Sequence, residues 1–440
     1  MEKAVFDTGD IAAMKGMLDN MHVADIAEEM ENMDEQLTVK VFRMLPKDTA
    51  AEVFAYLSRD TRGEIVKGIA DRELSGIMDE LFIDDAVDFI EEMPANVVNR
   101  ILAAVPPSRR EMINNFLKYP EDSAGSIMTI EYVSLKVDMT VGEAFSHIRE
   151  MAIDKETIYT CYVIDQNRHL TGVVSAKKLL LADTEQLISD IMSKKIISAH
   201  TTDDKEELVS DFMKYDLLAM PIVDSENRLV GIVTIDDVLD VQEEEATEDF
   251  EIMAAISPSD EPYLKTGVVN LTKNRVLWLL FMMLSATITG AIISGFEDAL
   301  ALVPALVASI PMLMDTGGNA GAQSSTMIIR GMAIDEIQLG DAFHVLWKEL
   351  RVAVLCGAAL FLVNFARILI MGQGFMMALT VSLTLYCTVI MAKALGCMLP
   401  LAAKKVRIDP AVMAAPLITT IVDAASLIVY FGFARLILNL

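Results

Sequence analysis

The stretch "DPAVMAAPLITTIVDAASLIVYF", residues 409–431, decides how this chain is read. Residues 411–438 are apolar apart from Asp423 and a late Arg435. A membrane core is crossed by about 20 apolar residues at ~1.5 Å each. The segment therefore predicts a transmembrane helix. A carboxylate at its centre costs about +2.5 to +3.5 kcal/mol. Such a residue faces a bundle interior or a water-filled path, where a partner offsets the cost. Asp423 is thus the first candidate site.

Four further apolar segments precede it, at 276–295, 299–329, 352–370 and 375–401, so five spans are expected. Basic residues fix their orientation. Lys273 and Arg275 precede the first span; Arg330, Lys348 and Arg351 lie between the second and third; Lys404, Lys405 and Arg407 lie between the fourth and fifth. The alternate loops carry no Lys or Arg. The N-terminus is expected in the cytoplasm, where the absence of an apolar leader in "MEKAVFDTGD" also places it, and the C-terminus outside. The second span departs from lipid-facing composition. In "PMLMDTGGNAGAQSSTMIIR", 311–330, Gly317, Gly318 and Gly321 are expected to weaken the helix, beside polar Asn319, Gln323, Ser324, Ser325 and Thr326. Irregular or polar backbone at this depth is tolerated against protein or water.

The chain carries a net charge of -28 although 53% of its residues are hydrophobic. Residues 266–440 hold 11 Lys/Arg against 9 Asp/Glu, so the negative charge belongs to the first 265 residues. An acidic surface argues for cations and against nucleic acid as partners. Cys161, Cys356, Cys387 and Cys397 show no metal-ligand spacing, and a disulfide framework is not expected. The five histidines are dispersed, and no nucleophile–base constellation suggests an enzyme.

Residues 123–242 contain a duplication. "YVIDQNRHLTGVVSAKKLL" (162–180) matches "PIVDSENRLVGIVTIDDVL" (221–239), and "SIMTIEYVSL" (126–135) matches "DIMSKKIISA" (190–199). Each copy reads strand, helix, strand, turn, strand, helix, with the turn D-x-x-x-x-L-x-G at Asp165–Gly172 and Asp224–Gly231. The pair resembles tandem CBS modules. That resemblance implies adenine-nucleotide binding through G-h-x-[ST]-x-x-D, which copy two carries as Gly231, Thr234 and Asp237; copy one has Lys178 in place of the acid. The segment 236–256 is rich in acids and free of Gly and Pro, so it reads as a linker helix running on from the last module. Upstream, residues 1–120 read as short amphipathic helices punctuated by Pro46, Pro94, Pro106 and Pro120, which suggests stacked helical hairpins.

The expected architecture is therefore multi-domain. An all-α superhelical domain (1–122) is followed by an α/β tandem CBS pair (123–186 and 187–242). An acidic connecting helix (243–270) then leads to an all-α, five-span transmembrane domain (271–440). This order, with "GGNAGAQSSTMIIR" and "DPAVMAAPLITTIVD" as its most specific stretches, resembles the MgtE family of bacterial magnesium channels. The resemblance implies a homodimer in the bacterial plasma membrane with a pore on its two-fold axis. It also implies Mg²⁺ as cargo and as the cytosolic ligand that closes the pore, with ATP as a possible regulatory ligand.

Mg²⁺ is small, hard and reluctant to lose its waters. One Asp per subunit, doubled by symmetry, gives it two carboxylates. Asp423 is the expected ion site, with Asn319, Thr419 and Thr420 lining the path and carbonyls freed around Pro416 accepting from the ion's water shell. A competing possibility is an ion pair of Asp423 with Arg367 or Lys393. The family's regulatory cation sites, matched onto this chain, fall on Asp84 and Asp88, on Asp204, Glu206 and Asp216, and on Asp237, Asp240, Glu245, Glu248 and Asp249. Two other readings share these observations: a proton- or ion-coupled Mg²⁺/Co²⁺ carrier, and a membrane-anchored nucleotide sensor.

Overall fold

In the computed structural model, residues 11–259, 263–264 and 266–438 are described. Residues 1–10 and 439–440, at the ends of the expected first and last domains, lie outside the described residues, as do 260–262 and 265 of the expected connecting helix. The chain divides into two compact units, 1–242 and 243–440.

The first unit opens with nine short helices among the described residues: α1 (Ile11–Leu18), α2 (Val23–Glu31), α3 (Glu35–Phe42), α4 (Lys47–Tyr56), α5 (Arg59–Gly68), α6 (Asp71–Glu80), α7 (Ile83–Glu91), α8 (Ala95–Ala104) and α9 (Pro107–Phe116). Pro46, Pro94 and Pro106 stand at N-cap positions, where no helical N–H is needed. Packing runs two steps along the chain, α2 on α4, α3 on α5, α4 on α6, α6 on α8 and α7 on α9. That is the pattern of a helical superhelix. Its core includes Phe54 and Phe89, edge-to-face at 4.8 Å.

Two sheets follow. The first joins β1 (Tyr132–Lys136), β2 (Thr157–Ile164) and β3 (Leu170–Ser175), with α10 (Val141–Met151) after β1 and α11 (Ala176–Leu181) and α12 (Ile188–Ile191) after β3. The second joins β4 (Ala199–His200), β5 (Ala219–Val223) and β6 (Leu229–Thr234), with α13 (Lys205–Tyr215) after β4. In both, the first pair is parallel and the second antiparallel. The repeated turn has a physical basis. Asp165 Oδ1 accepts from the amides of Asn167 and His169, and Asp224 Oδ1 from those of Glu226 and Arg228. A Cβ on Gly231 would stand 2.7 Å from the Thr129 carbonyl oxygen, so no other residue fits there.

The division between the units falls inside α14 (Ile235–Met253). The acidic helix runs on from the second sheet as expected but ends at Met253, well short of 270. Ala255 takes a left-handed φ of 55°, and Pro258 follows. The second unit then contains α15 (Val268–Ser294), α16 (Glu297–Leu302), α17 (Ala305–Ala333), α18 (Ala342–Ile370), α19 (Phe375–Lys405) and α20 (Ala415–Leu438). Of these, α15, α18, α19 and α20 are long and apolar enough to cross a membrane. The other expected span, α17, has 29 residues but a more polar composition.

Two expectations about broken helices are corrected. α17 continues unbroken through Pro311, Gly317, Gly318 and Gly321. Its glycines serve helix contacts: a Cβ would meet Thr388 Cγ2 at 2.6 Å from Gly317, Thr419 Cγ2 at 2.2 Å from Gly318 and Ile418 Cγ2 at 2.7 Å from Gly321. Close packing repays what glycine loses in helix propensity. Pro416 is the second residue of α20, where its missing N–H breaks no helical bond, so no mid-helix carbonyl is freed.

Candidate ion path and cytosolic cation sites

Asp423 is the ninth residue of α20 and half-buried. Its Oδ1 is buried without a hydrogen-bond partner among the described residues. The charged group that acts on it is another acid, Asp315 of α17. Neither Arg367 nor Lys393, the cations expected as alternatives, pairs with it, and neither does Arg435 of the same helix. Arg435 stacks over Phe296, Arg367 donates to Asn364 Oδ1, and Lys393 donates to Ser324 Oγ. Asn319, one turn beyond Asp315, donates from Nδ2 to Asp315 Oδ1 at 3.2 Å. Along α17, Asp315, Asn319, Gln323, Thr326 and Arg330 form an exposed polar stripe at helical spacing, opposite the small residues that pack inward. Thr419 lies one turn before Asp423 and packs on Gly318. Thr420 Oγ1 donates to the Pro416 carbonyl at 3.1 Å, which commits its proton to its own helix. Among the described residues two acids and an amide thus sit together with no basic counterpart, an arrangement that a cation stabilises.

A second acidic site lies within the first unit. The first turn of α7 brings Asp84 and Asp85, the first turn of α14 brings Asp236 and Asp237, and Glu156 precedes β2. Burial, and then the Asp237 carboxylate, push the Asp84 carboxyl well above the usual range. Burial raises Asp237 as well. Burial with Asp237 and Asp236 pushes Glu156 up to about 8, and its Oε2 is buried without a hydrogen bond among the described residues. Burial raises Asp85 to about 6 against the opposing Arg62 charge. Asp88, one turn beyond Asp84, reaches the surface, but burial of its carboxyl still raises it and its charge acts on Asp85. Among the described residues no three His, Cys, Asp or Glu side chains converge as a ready coordination sphere. Sequence reasoning missed Asp85 and Glu156. The Thr234 hydroxyl lies 2.7 Å from Asp237 Oδ2, so the two residues expected to hold a nucleotide are joined, but Asp237 also belongs to this cluster.

The remaining predicted acids separate. Asp204 caps α13, accepting from the Glu206 amide at 2.9 Å, whereas Asp216 stands past the other end of that helix. Eleven residues lie between the caps, about 16 Å of helix, so the three do not form one site. On α14, Asp240 and Glu248 are exposed and Glu245 and Asp249 half-buried. Burial and the charges of Asp409 and Glu248 push Asp249 upward against Arg330. Asp409, which sequence reasoning also missed, caps the turn Pro410–Met413 before α20. At the same place Ile252 and Met253 pack on Ile329, Ala411 and Ala414. The end of the acidic helix thus touches both the end of α17 and the approach to α20.

Comparison with known proteins agrees with this layout. Residues 310–433 match the MgtE divalent cation transporter model, 21–122 the MgtE intracellular N domain, and 124–185 and 188–244 the CBS domain. The chain is 37% identical over 435 residues to "Magnesium transporter MgtE" of Thermus thermophilus, covering 98% of this chain and 96% of the relative. It is 32% identical over 427 residues to the protein of the same name from Bacillus subtilis, covering 97% and 94%. Among solved structures, the cytosolic domain of the Mg²⁺ channel MgtE in complex with ATP aligns with a TM-score of 0.52 at 36% identity, over 54% of this chain and 98% of that one. The soluble part of a magnesium transporter aligns with a TM-score of 0.52 at 28% identity, over 55% and 96%.

Proposed function

The chain belongs to the MgtE family of divalent cation transporters, and from that premise we propose that it is a Mg²⁺ channel of the bacterial plasma membrane, closed by Mg²⁺ on its cytosolic side. The observation that carries the pore is the unpartnered carboxylate oxygen of Asp423 beside Asp315 and Asn319. An exposed stripe of Asp, Asn, Gln and Thr cannot face lipid. A second copy of the chain closes the stripe onto itself, so the pore lies on the two-fold axis of a homodimer. In it Asp423 and Asn319 face the hydrated ion, Thr419 flanks them, and Thr420 contributes the oxygen lone pair left free by its bond to Pro416. Exposed apolar residues of the first unit, among them Ile153, Tyr159, Leu180, Leu181 and Leu218, fit the same pairing. The Lys/Arg distribution sets the N-terminus in the cytoplasm and the C-terminus outside.

Closure follows from the acids. Mg²⁺ at the Asp84–Asp85–Glu156–Asp237 cluster offsets the burial of those carboxylates and relieves their mutual repulsion. Mg²⁺ between Asp249 and Asp409, with Glu248, Glu245 and Asp240 along the same helix, holds the end of α14 against α17 and α20. Asp88, Asp204, Glu206 and Asp216 are outer sites that screen the surface. ATP binds at Thr234 and Asp237, and because Asp237 serves both ligands the nucleotide couples to the cation. The decisive test is Asp423→Asn in reconstituted liposomes. Losing one member of a desolvated charge interaction predicts a fall in Mg²⁺ uptake of at least about thirtyfold with the dimer intact. Wild-type uptake by this variant would refute the pore.

A further inference from the structure

The helical bundle of the second unit holds another charged cluster, which the ion path does not use. Ser324 of α17 donates from Oγ to Glu349 Oε2 of α18 at 2.6 Å. Lys393 of α19 donates from Nζ to Ser324 Oγ at 3.2 Å and stands 3.8 Å from the same Glu349 oxygen. The Lys393 and Glu349 side chains are 7% and 18% exposed, and Ser324 is buried. The cluster lies beside a close approach of α17 and α19, where a Cβ on Gly396 would overlap the Gly321 carbonyl oxygen. Gly321 is three residues before Ser324, and Gly396 three after Lys393. Backbone contact therefore fixes the distance between the two helices. Rotation is constrained by the side chains around it, Thr388, Thr419 and Ile418 among them, which seat on the α17 glycines.

The charged cluster adds a directional, polar constraint to that packing. Ser324 follows Gln323 directly, about 100° further round the helix. Any rotation of α17 that breaks the Ser324 bonds also swings Gln323 and Asn319. The next residue adds a second tie, since Ser325 Oγ donates to the Met413 carbonyl at 2.7 Å, just ahead of α20. A buried ion pair seldom adds net stability over an apolar replacement, but removing one partner is strongly destabilising, and the best-attested benefit of such pairs is a defined arrangement. We propose that Glu349, Lys393 and Ser324 form a charge clamp that sets the rotation of α17, and with it the position of Asn319 in the ion path. The three are positioning residues. The proposal rests on the reading of α17 as a pore-lining helix.

The test uses the full-length protein, with the ratio of Mg²⁺ to Co²⁺ influx into liposomes as one readout and Tm in detergent as the other. A flux ratio does not depend on how much of the sample is folded. Ser324→Ala keeps both charges and is expected to shift the ratio by about threefold or more. Glu349→Gln and Lys393→Met are each expected to lower Tm and shift the ratio. The double variant is expected to melt above either single, because no charge is left unpaired. Additive Tm losses would overturn the clamp. Coupled Tm losses with a wild-type ratio in every single variant would overturn the positioning role. Asn319→Ala in the same assay tests the underlying reading: a wild-type ratio there means the pore reading fails and takes the positioning role with it, while the Tm cycle still decides the clamp.

Discussion

Glu156 and Asp423 share one physical signature, a buried carboxylate oxygen to which nothing donates among the described residues. For Glu156 the consequence can be worked out as a pH dependence. Its carboxyl sits at about 8 and that of Asp85 at about 6, both above their ordinary values because the fold buries them among other acids. As pH rises from the ordinary carboxylate range, the unfolded chain releases these protons first, so the folded state holds more of them. Stability then falls with rising pH until the folded groups have also ionised, near 8. A divalent cation binds the ionised form and reverses the loss. Melting of the full-length protein in EDTA is expected at lower temperature at pH 8 than at pH 5.5, and Mg²⁺ is expected to raise Tm more at pH 8. Glu156→Gln is expected to raise the EDTA value at pH 8 and to flatten the slope. A Tm indifferent to pH in EDTA would show that the cluster is not strained. Of these residues only Asp423 was legible in the sequence. One charge in a long apolar run announces itself, whereas Glu156, Asp85 and Asp409 are acids in acidic soluble segments. There the ordinary expectation is a solvated side chain, and only the fold brings them together.

At the scale of the element, α17 shows how the same residues support opposite readings. Three glycines and a proline in a helical pattern read as weakness, yet the helix is continuous because each glycine admits a neighbouring helix. Gly396 gives the sharpest test. Its missing Cβ would strike the Gly321 backbone, which cannot rotate away, so Gly396→Ala is expected to destabilise by about 1–3 kcal/mol. Gly432 of α20 has nothing within 4 Å of its absent Cβ, and Gly432→Ala is expected to be neutral or slightly stabilising through helix propensity. Detergent Tm values of the two variants check the contrast, and equal effects would remove the packing explanation. Elements with a repeated or periodic signal were legible: the duplicated turn fixed both sheets, and prolines fixed helix starts in the first unit. The end of α14 was not, because acidic helix formers continue up to Ile256 and only Pro258 marks a stop.

At the scale of the whole molecule, the proposed closure by Mg²⁺ makes the charge asymmetry seen in the sequence a means of sensing. The residues before 266 hold 25 Lys/Arg against 55 Asp/Glu, so they carry more negative charge than the net -28 of the whole chain. A chain so acidic repels itself unless cations are present, and its compactness therefore follows their concentration. Such screening alone would respond to any salt. A gate needs a contact that one ion makes and that reaches the pore helices. The contact between the α14 end and the α17–α20 ends meets this need, because Asp249 and Asp409 repel each other just where Ile252 and Met253 pack on Ile329, Ala411 and Ala414. A divalent ion turns that repulsion into attachment, whereas neutralising both acids removes the repulsion without supplying the bridge. Asp249→Asn with Asp409→Asn is therefore expected to leave Mg²⁺ flux unchanged when internal Mg²⁺ is low and to abolish its decline when internal Mg²⁺ is raised. Monovalent salt at matched ionic strength is expected to produce no closure in the wild type, since screening weakens exposed charges without joining them. Liposome flux with internal Mg²⁺ varied independently of external Mg²⁺ measures both. Closure by the double variant at the wild-type concentration would place the gate elsewhere on the acidic surface, and closure by monovalent salt would reduce it to charge screening.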